Sequence, residues 1–248
     1  MQRYFVKPEN MTVSHVVVTG EDVKHISKVM RMAPGDKIVC LDNQGRQVVS
    51  KINDINQDFV KADIIQEIHE NNELPLHVTI AQGLIKGDKL DLVIQKGTEF
   101  GASAFYLFSA DRSVVKWDGK KINKKLERLQ KIAKEAAEQS GRRIIPSITF
   151  FSSWKEMLKE KQNHDANVFL YEENAKKKLH SDLSEVLNLS PASLLAIIGP
   201  EGGVSEEEAS AYRKECFRNI SLGPRVLRSE SASLYLLAAL SYQYELLR

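Results

Sequence analysis

The sequence is poor in cysteine, and this shortage argues against a disulfide-rich secreted protein. Cys40 and Cys216 are the only two cysteines among 248 residues, and they form no Cys-x-x-Cys pair. A disulfide-stabilised secreted domain is not expected, because such domains are dense in cysteine. The amino terminus also lacks a signal-peptide pattern, so we expect a reduced, cytoplasmic setting.

Metal-site and membrane patterns are missing as well. The six histidines contain no His-x-x-x-His spacing, so we expect no metal. The most apolar segment, 233–247, contains Gln243 and Glu245 and is shorter than the roughly 18 residues of a membrane span, so we expect no membrane partner.

The common nucleotide-binding signatures are absent too. There is no Gly-x-x-x-x-Gly-Lys-Ser/Thr loop and no Gly-x-Gly-x-x-Gly after a strand, which argues against a P-loop NTPase or an ordinary dinucleotide enzyme. The net charge is only +2, so an RNA partner would need a local basic surface.

Two glycine-containing turns near the end of the chain carry most of the functional information. They are Ile-Gly-Pro-Glu-Gly-Gly at 198–203 and Leu-Gly-Pro-Arg-Val-Leu-Arg-Ser-Glu-Ser-Ala at 222–232. Each follows an apolar run typical of a buried strand and precedes a helical pattern. Because ligands bind at the carboxyl ends of strands in open α/β sheets, the turns are interpreted as two halves of one ligand site. A lone Gly-Pro-x-Gly-Gly is also compatible with a simple tight turn.

A capping box strengthens the first turn as a site. Ser205 and Glu208 have the Ser-x-x-Glu spacing that opens a helix, and the glycines just before it leave backbone N–H groups bare. A polar or anionic ligand suits such a helix N-terminus.

The chain divides by pattern into two predicted domains, 1–72 and 73–248. In the first, short β-type runs, 37–41 among them, predict a small β-barrel. One basic helix, 21–32, interrupts these runs, and its predicted apolar face consists of Val23, Ile26, Val29 and Met30. The segment 69–75 is polar, ends in Pro75 and is the best linker. From Leu76 onward apolar strands alternate with helices, which predicts an α/β domain with a mainly parallel sheet. Among these elements are predicted strands at 147–151 and 219–222 and predicted helices at 154–161 and 181–189.

Four motifs, in order, give the chain a family resemblance. Lys-Gly-Thr-Glu-Phe-Gly at 96–101, Glu-Ala-Ala-Glu-Gln-Ser-Gly-Arg at 135–142 and the two turns resemble the RsmE-type methyltransferases of the SPOUT superfamily. The resemblance covers essentially the whole chain. It implies a trefoil-knotted domain with a PUA-like or OB-like amino-terminal barrel, a homodimer, and S-adenosylmethionine-dependent methylation of a uridine N3 in 16S ribosomal RNA of the small subunit.

The resemblance and the chemistry of N3 methylation together nominate site residues. N3 must lose a proton before it attacks a methyl group, so a base and a cation are expected. Arg228 is the predicted charge stabiliser, and Glu201 and Glu230 compete as base or orienting group; Glu230 could equally serve only its helix N-terminus. The predicted cofactor-binding residues are Ile198, Gly199, Pro200, Gly202, Gly203, Leu222, Gly223, Val226, Leu227, Ser231 and Ala232.

Basic side chains supply the predicted RNA contacts, because they can neutralise phosphates and hold RNA in register. The predicted RNA-binding residues are Arg3, Lys24, Lys28, Arg31, Arg112, Arg142 and Arg143. For any basic helix, a merely solvated face is the alternative.

Two further functions stay open from sequence alone. The chain could be a SPOUT enzyme that modifies another RNA nucleotide, or a non-catalytic RNA-binding factor of ribosome assembly.

The final helix, 233–247, is apolar on nearly every face, which favours a second subunit as its cover.

Overall fold

The computed structural model describes residues 1–117, 119–171 and 182–247, without the side chains of Lys120 and Asp182. By their contacts these residues form two units. One contains Met1–Glu73 and Lys134–Ile145, and the other contains Leu74–Ala133 and the described residues from Pro146 onward.

The first unit is a five-stranded sheet with one short helix of its own and the end of a longer helix, residues 134–140. Its strands are β1 (Arg3–Phe5), β2 (His15–Thr19), β3 (Lys37–Leu41), β4 (Gln47–Ile55) and β5 (Phe59–Ile68), in the order β1-β3-β4-β5-β2. β1 pairs in parallel with β3, and the other pairs are antiparallel. β-branched residues such as Val16, Ile38 and Val60 alternate into a fully buried core, as expected for strands with one apolar face.

The helix of the first unit is shorter than predicted. Helix α1 (Glu21–Lys24) continues as a π-helical stretch, His25–Val29. Just after it, Arg31 has a left-handed backbone conformation with φ of 53°. The predicted apolar face also included Val29 and Met30, but both side chains are exposed, while Val23 and Ile26 are buried. The wider π turn shifts the helical phase, so the 3.6-residue period no longer applies after Lys24.

The second unit is an α/β layer structure around a fully parallel sheet. Its strands are β6 (His77–Gly83), β7 (Ala104–Phe108), β8 (Ser147–Phe151), β9 (Ala166–Leu170), β10 (Ser193–Ile198) and β11 (Arg218–Ile220), in the order β11-β9-β10-β6-β7-β8. Every pairing between them is parallel. All their carboxyl ends therefore lie at one edge.

Helices follow these strands. The described ones are α2 (Gly87–Glu99), α3 (Ile122–Ser140), α4 (Trp154–Met157), α5 (Asp182–Asn188), α6 (Glu206–Lys214) and α7 (Ser229–Ser241), the last continuing as a π-helical stretch, Tyr242–Leu246. The helix predicted at 181–189 is present from Asp182; Ser181 lies outside the described residues. β10 is nearly continuous Leu, Ala and Ile and is buried from Leu194 to Ile198, as expected for a central parallel strand.

The predicted fold class is confirmed: a small β-rich domain and a mainly parallel α/β domain. Among the described residues, no helix has both the length and the apolar character needed to cross a membrane.

Candidate ligand site at the carboxyl edge of the parallel sheet

A cavity of about 320 Å³ lies at the carboxyl edge of the second unit's sheet. The turn after β10 and the turn after β11 both line it, together with the end of β9 and the first turn of α2. Ten of the residues nominated from sequence lie in its wall: Ile198, Gly199, Pro200, Glu201, Gly203, Leu222, Val226, Leu227, Arg228 and Ala232.

Four nominated residues are not in the wall, although each is adjacent in sequence to a residue that is or to another of the four. Gly202 packs under Arg112, whose guanidinium donates to the Gly202 carbonyl at 3.2 Å. Gly223 has φ of 107°, and its carbonyl accepts a hydrogen bond from Ser221. Ser231 is exposed, and Glu230 is 8% exposed.

The first turn is folded tightly enough to require glycine. A Cβ on Gly199 would lie 2.8 Å from the Gly203 carbonyl carbon and 2.9 Å from the Val204 nitrogen. Gly203 itself has φ of 73°, a conformation that L side chains rarely adopt. The turn therefore presents backbone rather than side chains to the cavity.

A buried polar network ties this turn to α7. The carboxamide of Gln82, at the end of β6, donates to the Ser229 hydroxyl at 2.8 Å and accepts from the Ser233 hydroxyl at 2.6 Å. Ser229 in turn donates to the Gly199 carbonyl at 2.6 Å. Gln82 and Ser233 are fully buried, so the network fixes the turn and the start of α7 in one arrangement.

The predicted capping box is confirmed. The Ser205 hydroxyl accepts the Glu208 N–H at 3.0 Å, and the Glu208 carboxylate accepts the Ser205 N–H at 2.7 Å. Burial raises the pKa of Glu208, although the N–H groups of Ser205 and Asp111 oppose that shift. The first turn thus leads directly into a capped helix.

The two nominated carboxylates meet at one lysine that sequence reasoning missed. Lys89 Nζ, on α2, lies 3.7 Å from Glu201 Oε1 and 3.4 Å from Glu230 Oε1. The Lys86 N–H donates to Glu201 Oε1 at 3.2 Å. Partial burial by itself would raise the pKa of Glu201. The N–H groups of Glu201 and Lys86 and the charges of Lys89 and Lys86 outweigh burial, so the pKa of Glu201 is lowered overall.

Other wall residues were also missed, for two different reasons. Lys89 follows β6 in a strand-to-helix turn, so the rule that favoured the glycine turns could have found it. Leu170 ends β9 and Tyr171 follows it. β9 lies between β10 and β11, and the sequence pattern does not give that strand order. The remaining wall residues outside the nominated set are Val204, Ile220, Ser221, Arg225 and Ser229.

The nominated RNA-binding residues differ in their exposure. Lys24, Lys28 and Arg31 are exposed on or just after the short helix of the first unit. Arg112 is exposed in the second unit. The side chains of Arg3 and Arg143 are half-buried, and each has a buried guanidinium nitrogen with no hydrogen-bond partner among the described residues.

Arg142 takes a structural place instead of the predicted RNA contact. It is only 3% exposed, and its guanidinium is paired with the Glu73 carboxylate. Glu73 also accepts the Arg143 N–H at 2.8 Å. Because a buried and paired guanidinium has no surface to offer phosphate, we remove Arg142 from the RNA-binding set.

The fold and the cavity define a class once they are set beside known families. Residues 72–241 match the family described as RNA methyltransferase domain, and residues 18–65 match the RNA methyltransferase PUA domain. The second unit is therefore an RNA methyltransferase domain.

The particular family follows from full-length relatives. The chain is 46% identical to ribosomal RNA small subunit methyltransferase E of Bacillus subtilis (strain 168), over 100% of this chain and 99% of that protein. It superposes with a TM-score of 0.86 on the Neisseria gonorrhoeae ribosomal RNA small subunit methyltransferase E bound to S-adenosyl methionine, at 29% identity over 98% of both chains. A Legionella pneumophila methyltransferase in complex with the bound cofactor SAM gives 0.86 at 27% identity over 97% of both. The chain belongs to the ribosomal RNA small subunit methyltransferase E family, as the four motifs predict.

Proposed function

We propose that this protein transfers a methyl group from S-adenosylmethionine to N3 of a uridine in 16S ribosomal RNA. The observation that carries the proposal is the single cavity lined by both glycine turns. In this family, two relatives were crystallised with that cofactor in structures of the same fold.

The cavity suits a cofactor with apolar and polar ends. Its volume of about 320 Å³ is at the lower end of typical ligand pockets, which start near ~300 Å³. Ile198, Leu222 and Leu227 supply apolar wall, and the glycine turn supplies backbone. These residues would hold the cofactor, which when bound supplies an activated methyl group.

Methylation of the acceptor base needs one group that takes the N3 proton and another that stabilises the negative charge left on the ring. Uridine N3 is protonated in its neutral form, and its nitrogen lone pair becomes available when the proton leaves. Arg228, in the cavity wall, is suited to stabilise the negative charge that spreads onto the ring oxygens. Glu201 is also in the wall, whereas Glu230 is not and its side chain is only 11% exposed, which favours Glu201 as the proton acceptor.

The residues 1–72 are proposed as the RNA-binding domain and 73–248 as the catalytic domain, in a cytoplasmic enzyme. Exposed Lys24, Lys28 and Arg31 would contact phosphates, with Arg112 near the first turn. Such contacts position RNA without reading its sequence.

A homodimer is the proposed assembly. Along α7 and its π-helical extension, Tyr235, Tyr242 and Leu246 are 46%, 55% and 71% exposed. Large apolar side chains left open along one helix fit a second copy of the chain. The trefoil knot that the family resemblance implies stays a prediction.

The proposal is tested with purified protein, small ribosomal subunits from cells that lack it, and S-adenosylmethionine. Calorimetry should give cofactor binding, and mass spectrometry of the digested RNA should show N3-methyluridine. Cofactor binding without any methylated nucleoside would support a non-catalytic assembly factor, and a different methylated nucleoside would support another SPOUT specificity.

A further inference from the structure

Lys89 joins three separate parts of the chain at the cavity mouth. It lies in the first turn of α2, while Glu201 belongs to the turn after β10 and Glu230 to the first turn of α7. Its Nζ is within 4 Å of a carboxylate oxygen from each. Lys89 is also part of the cavity wall.

The two carboxylates have different access to the cavity. Glu201 lines the wall, and the Glu230 side chain is only 11% exposed and does not. One carboxylate oxygen of Glu230 is buried without a hydrogen-bond partner among the described residues. Of the two carboxylates paired with Lys89, Glu201 is therefore the one that a ligand in the cavity would meet.

Charge balance shows what Lys89 does there. Two carboxylates that approach the same point repel one another, and an ammonium between them removes the repulsion. Without the ammonium, one carboxyl would hold its proton to higher pH. Glu201 would be affected, because the charge of Lys89 is one of those that lower its pKa.

We propose that Lys89 is a positioning residue for methyl transfer, which holds Glu201 ionised and aimed into the cavity while Glu230 anchors Lys89. The inference rests on the proposed function, because it assigns Glu201 the proton from the acceptor nitrogen. In that step the N3–H bond breaks and the proton moves to a Glu201 oxygen. The electron pair left on nitrogen would form the N–CH₃ bond as the donor's S–CH₃ bond breaks, and that bond's electron pair would remain on sulfur in the departing thioether, S-adenosylhomocysteine.

The other charges around Glu201 were considered before a pH effect was assigned. They are Lys86, which immediately precedes α2, Arg225 and Arg228 in the cavity wall, and Arg112, which donates to the neighbouring Gly202 carbonyl. All four are cationic, and Lys86 and Lys89 are the two whose charges lower the pKa of Glu201. Removal of Lys89 therefore raises the Glu201 pKa while the effect of Lys86 remains.

The test is the pH profile of kcat/KM for methyl transfer by the full-length protein. A base must be ionised, so activity falls on the acid side as Glu201 gains a proton. Lys89→Met should move the acid limb upward by up to roughly one pH unit, because Glu201 loses a neighbouring positive charge. It should also lower the rate at neutral pH by about tenfold or more, because Glu201 loses one of the contacts that hold it in position. Lys89→Arg should restore both, and Glu230→Gln should move the limb in the opposite direction, because Lys89 then serves Glu201 alone.

A matched control separates positioning from general loss of charge. Lys96 lies on the same helix and pairs with Glu99 at 2.8 Å on the helix surface, so Lys96→Met should leave the profile unchanged. Calorimetry should show cofactor affinity retained in Lys89→Met, since the residue acts on the proton acceptor.

Three outcomes would contradict the account, and they are distinguishable. An acid limb that stays in place in Lys89→Met, with wild-type protein active, would overturn the inference alone. Loss of cofactor binding in Lys89→Met would also overturn it, by making Lys89 a cofactor ligand. An inactive wild-type protein would contradict the proposed function, and the inference with it.

Discussion

At the scale of single residues, the site depends on backbone conformation as much as on side chains. The Gly199 turn closes on Gly203 and Val204 with no room for a Cβ, and Gly203 needs a left-handed backbone. These are steric requirements of the turn itself, independent of any ligand. A side chain at Gly199 would force the carbonyl that accepts from Ser229 to move.

Gly199→Ala should therefore abolish or strongly weaken cofactor binding while the protein stays folded. The added Cβ would be 2.8 Å from backbone that cannot move far, because Gln82 and Ser229 hold the turn. We expect calorimetry to show an affinity loss of at least about tenfold, or about 1.4 kcal/mol.

Gly119→Ala is the matched control, because a Cβ there meets nothing within 4 Å. It should bind the cofactor like wild type. If Gly199→Ala also bound normally, with a circular dichroism spectrum like that of wild type, the first turn would not be part of the cofactor site.

Residue-level prediction succeeded where the chemistry is local. The glycine turns and the Ser205 capping box are visible as spacing, since each depends on residues close in sequence. Lys89 and Gln82 were missed because their partners are 112 or more positions away: Lys89 meets Glu201, and Gln82 meets Ser229 and Ser233. The burial of Arg142 was not predicted, because its partner, Glu73, is distant in the sequence. Two adjacent arginines, Arg142 and Arg143, do not by themselves show which side chain is buried.

At the scale of elements, α7 has two faces that the sequence pattern does not separate. Leu236, Leu237 and Leu240 are fully buried within one chain, and Leu237 lies next to Gly97 of α2. Tyr235 and Tyr242 are exposed. The apolar composition of 233–247 thus combines a core face with a face that is open in the single chain.

The two faces should respond differently to a charge. Leu237→Glu should unfold the protein, because burying an unpaired carboxylate and losing core packing cost roughly 3–5 kcal/mol. Tyr242→Glu should remain folded and sediment as a monomer in analytical ultracentrifugation, if the open face is the dimer contact.

Gln243→Glu adds the same charge to the adjacent exposed position and serves as the control. It should sediment like wild type. A wild-type protein that is monomeric and fully active at assay concentration would contradict the proposed dimer.

Element prediction was most accurate for the strands and least accurate at helix ends. β3 and β8 have the predicted bounds, 37–41 and 147–151, because their apolar runs are flanked by clear turn residues. The predicted strand 219–222 ends at Ile220, since the chain turns toward the cavity there. The helix predicted for 154–161 is α-helical only to Met157 and then 3₁₀-helical. Hydrophobic period does not specify these changes of helix type.

At the scale of the whole molecule, RNA binding and catalysis are predicted to be separable. The first unit carries the exposed cations Lys24 and Lys28, and the cavity belongs entirely to the second. Truncation is a poor test of this, because Ala137 from the end of α3 packs with Phe5, Val39 and Leu41. Removing 1–72 would expose that cluster, so point substitutions are preferable.

Lys24→Ala combined with Lys28→Ala should weaken RNA binding and leave cofactor binding unchanged. Each lost phosphate contact on single-stranded RNA reduces the slope of log affinity against log salt by about 0.7. Filter binding at several salt concentrations should therefore give a slope smaller by about 1.4 for the double variant.

Lys51→Ala combined with Lys61→Ala removes the same charge from exposed positions of the first unit's sheet and serves as the control. An equal loss of RNA affinity in both double variants would mean that net charge, and not the surface that carries Lys24 and Lys28, attracts RNA.

The central claim is that this chain methylates N3 of a uridine in 16S ribosomal RNA, and nucleosides from cells test it most directly. Mass spectrometry of small-subunit RNA should show N3-methyluridine in cells with the gene and none in cells without it. Wild-type protein supplied in trans should restore the nucleoside, and Gly199→Ala should not. N3-methyluridine at the same level in cells that lack the protein would contradict the account.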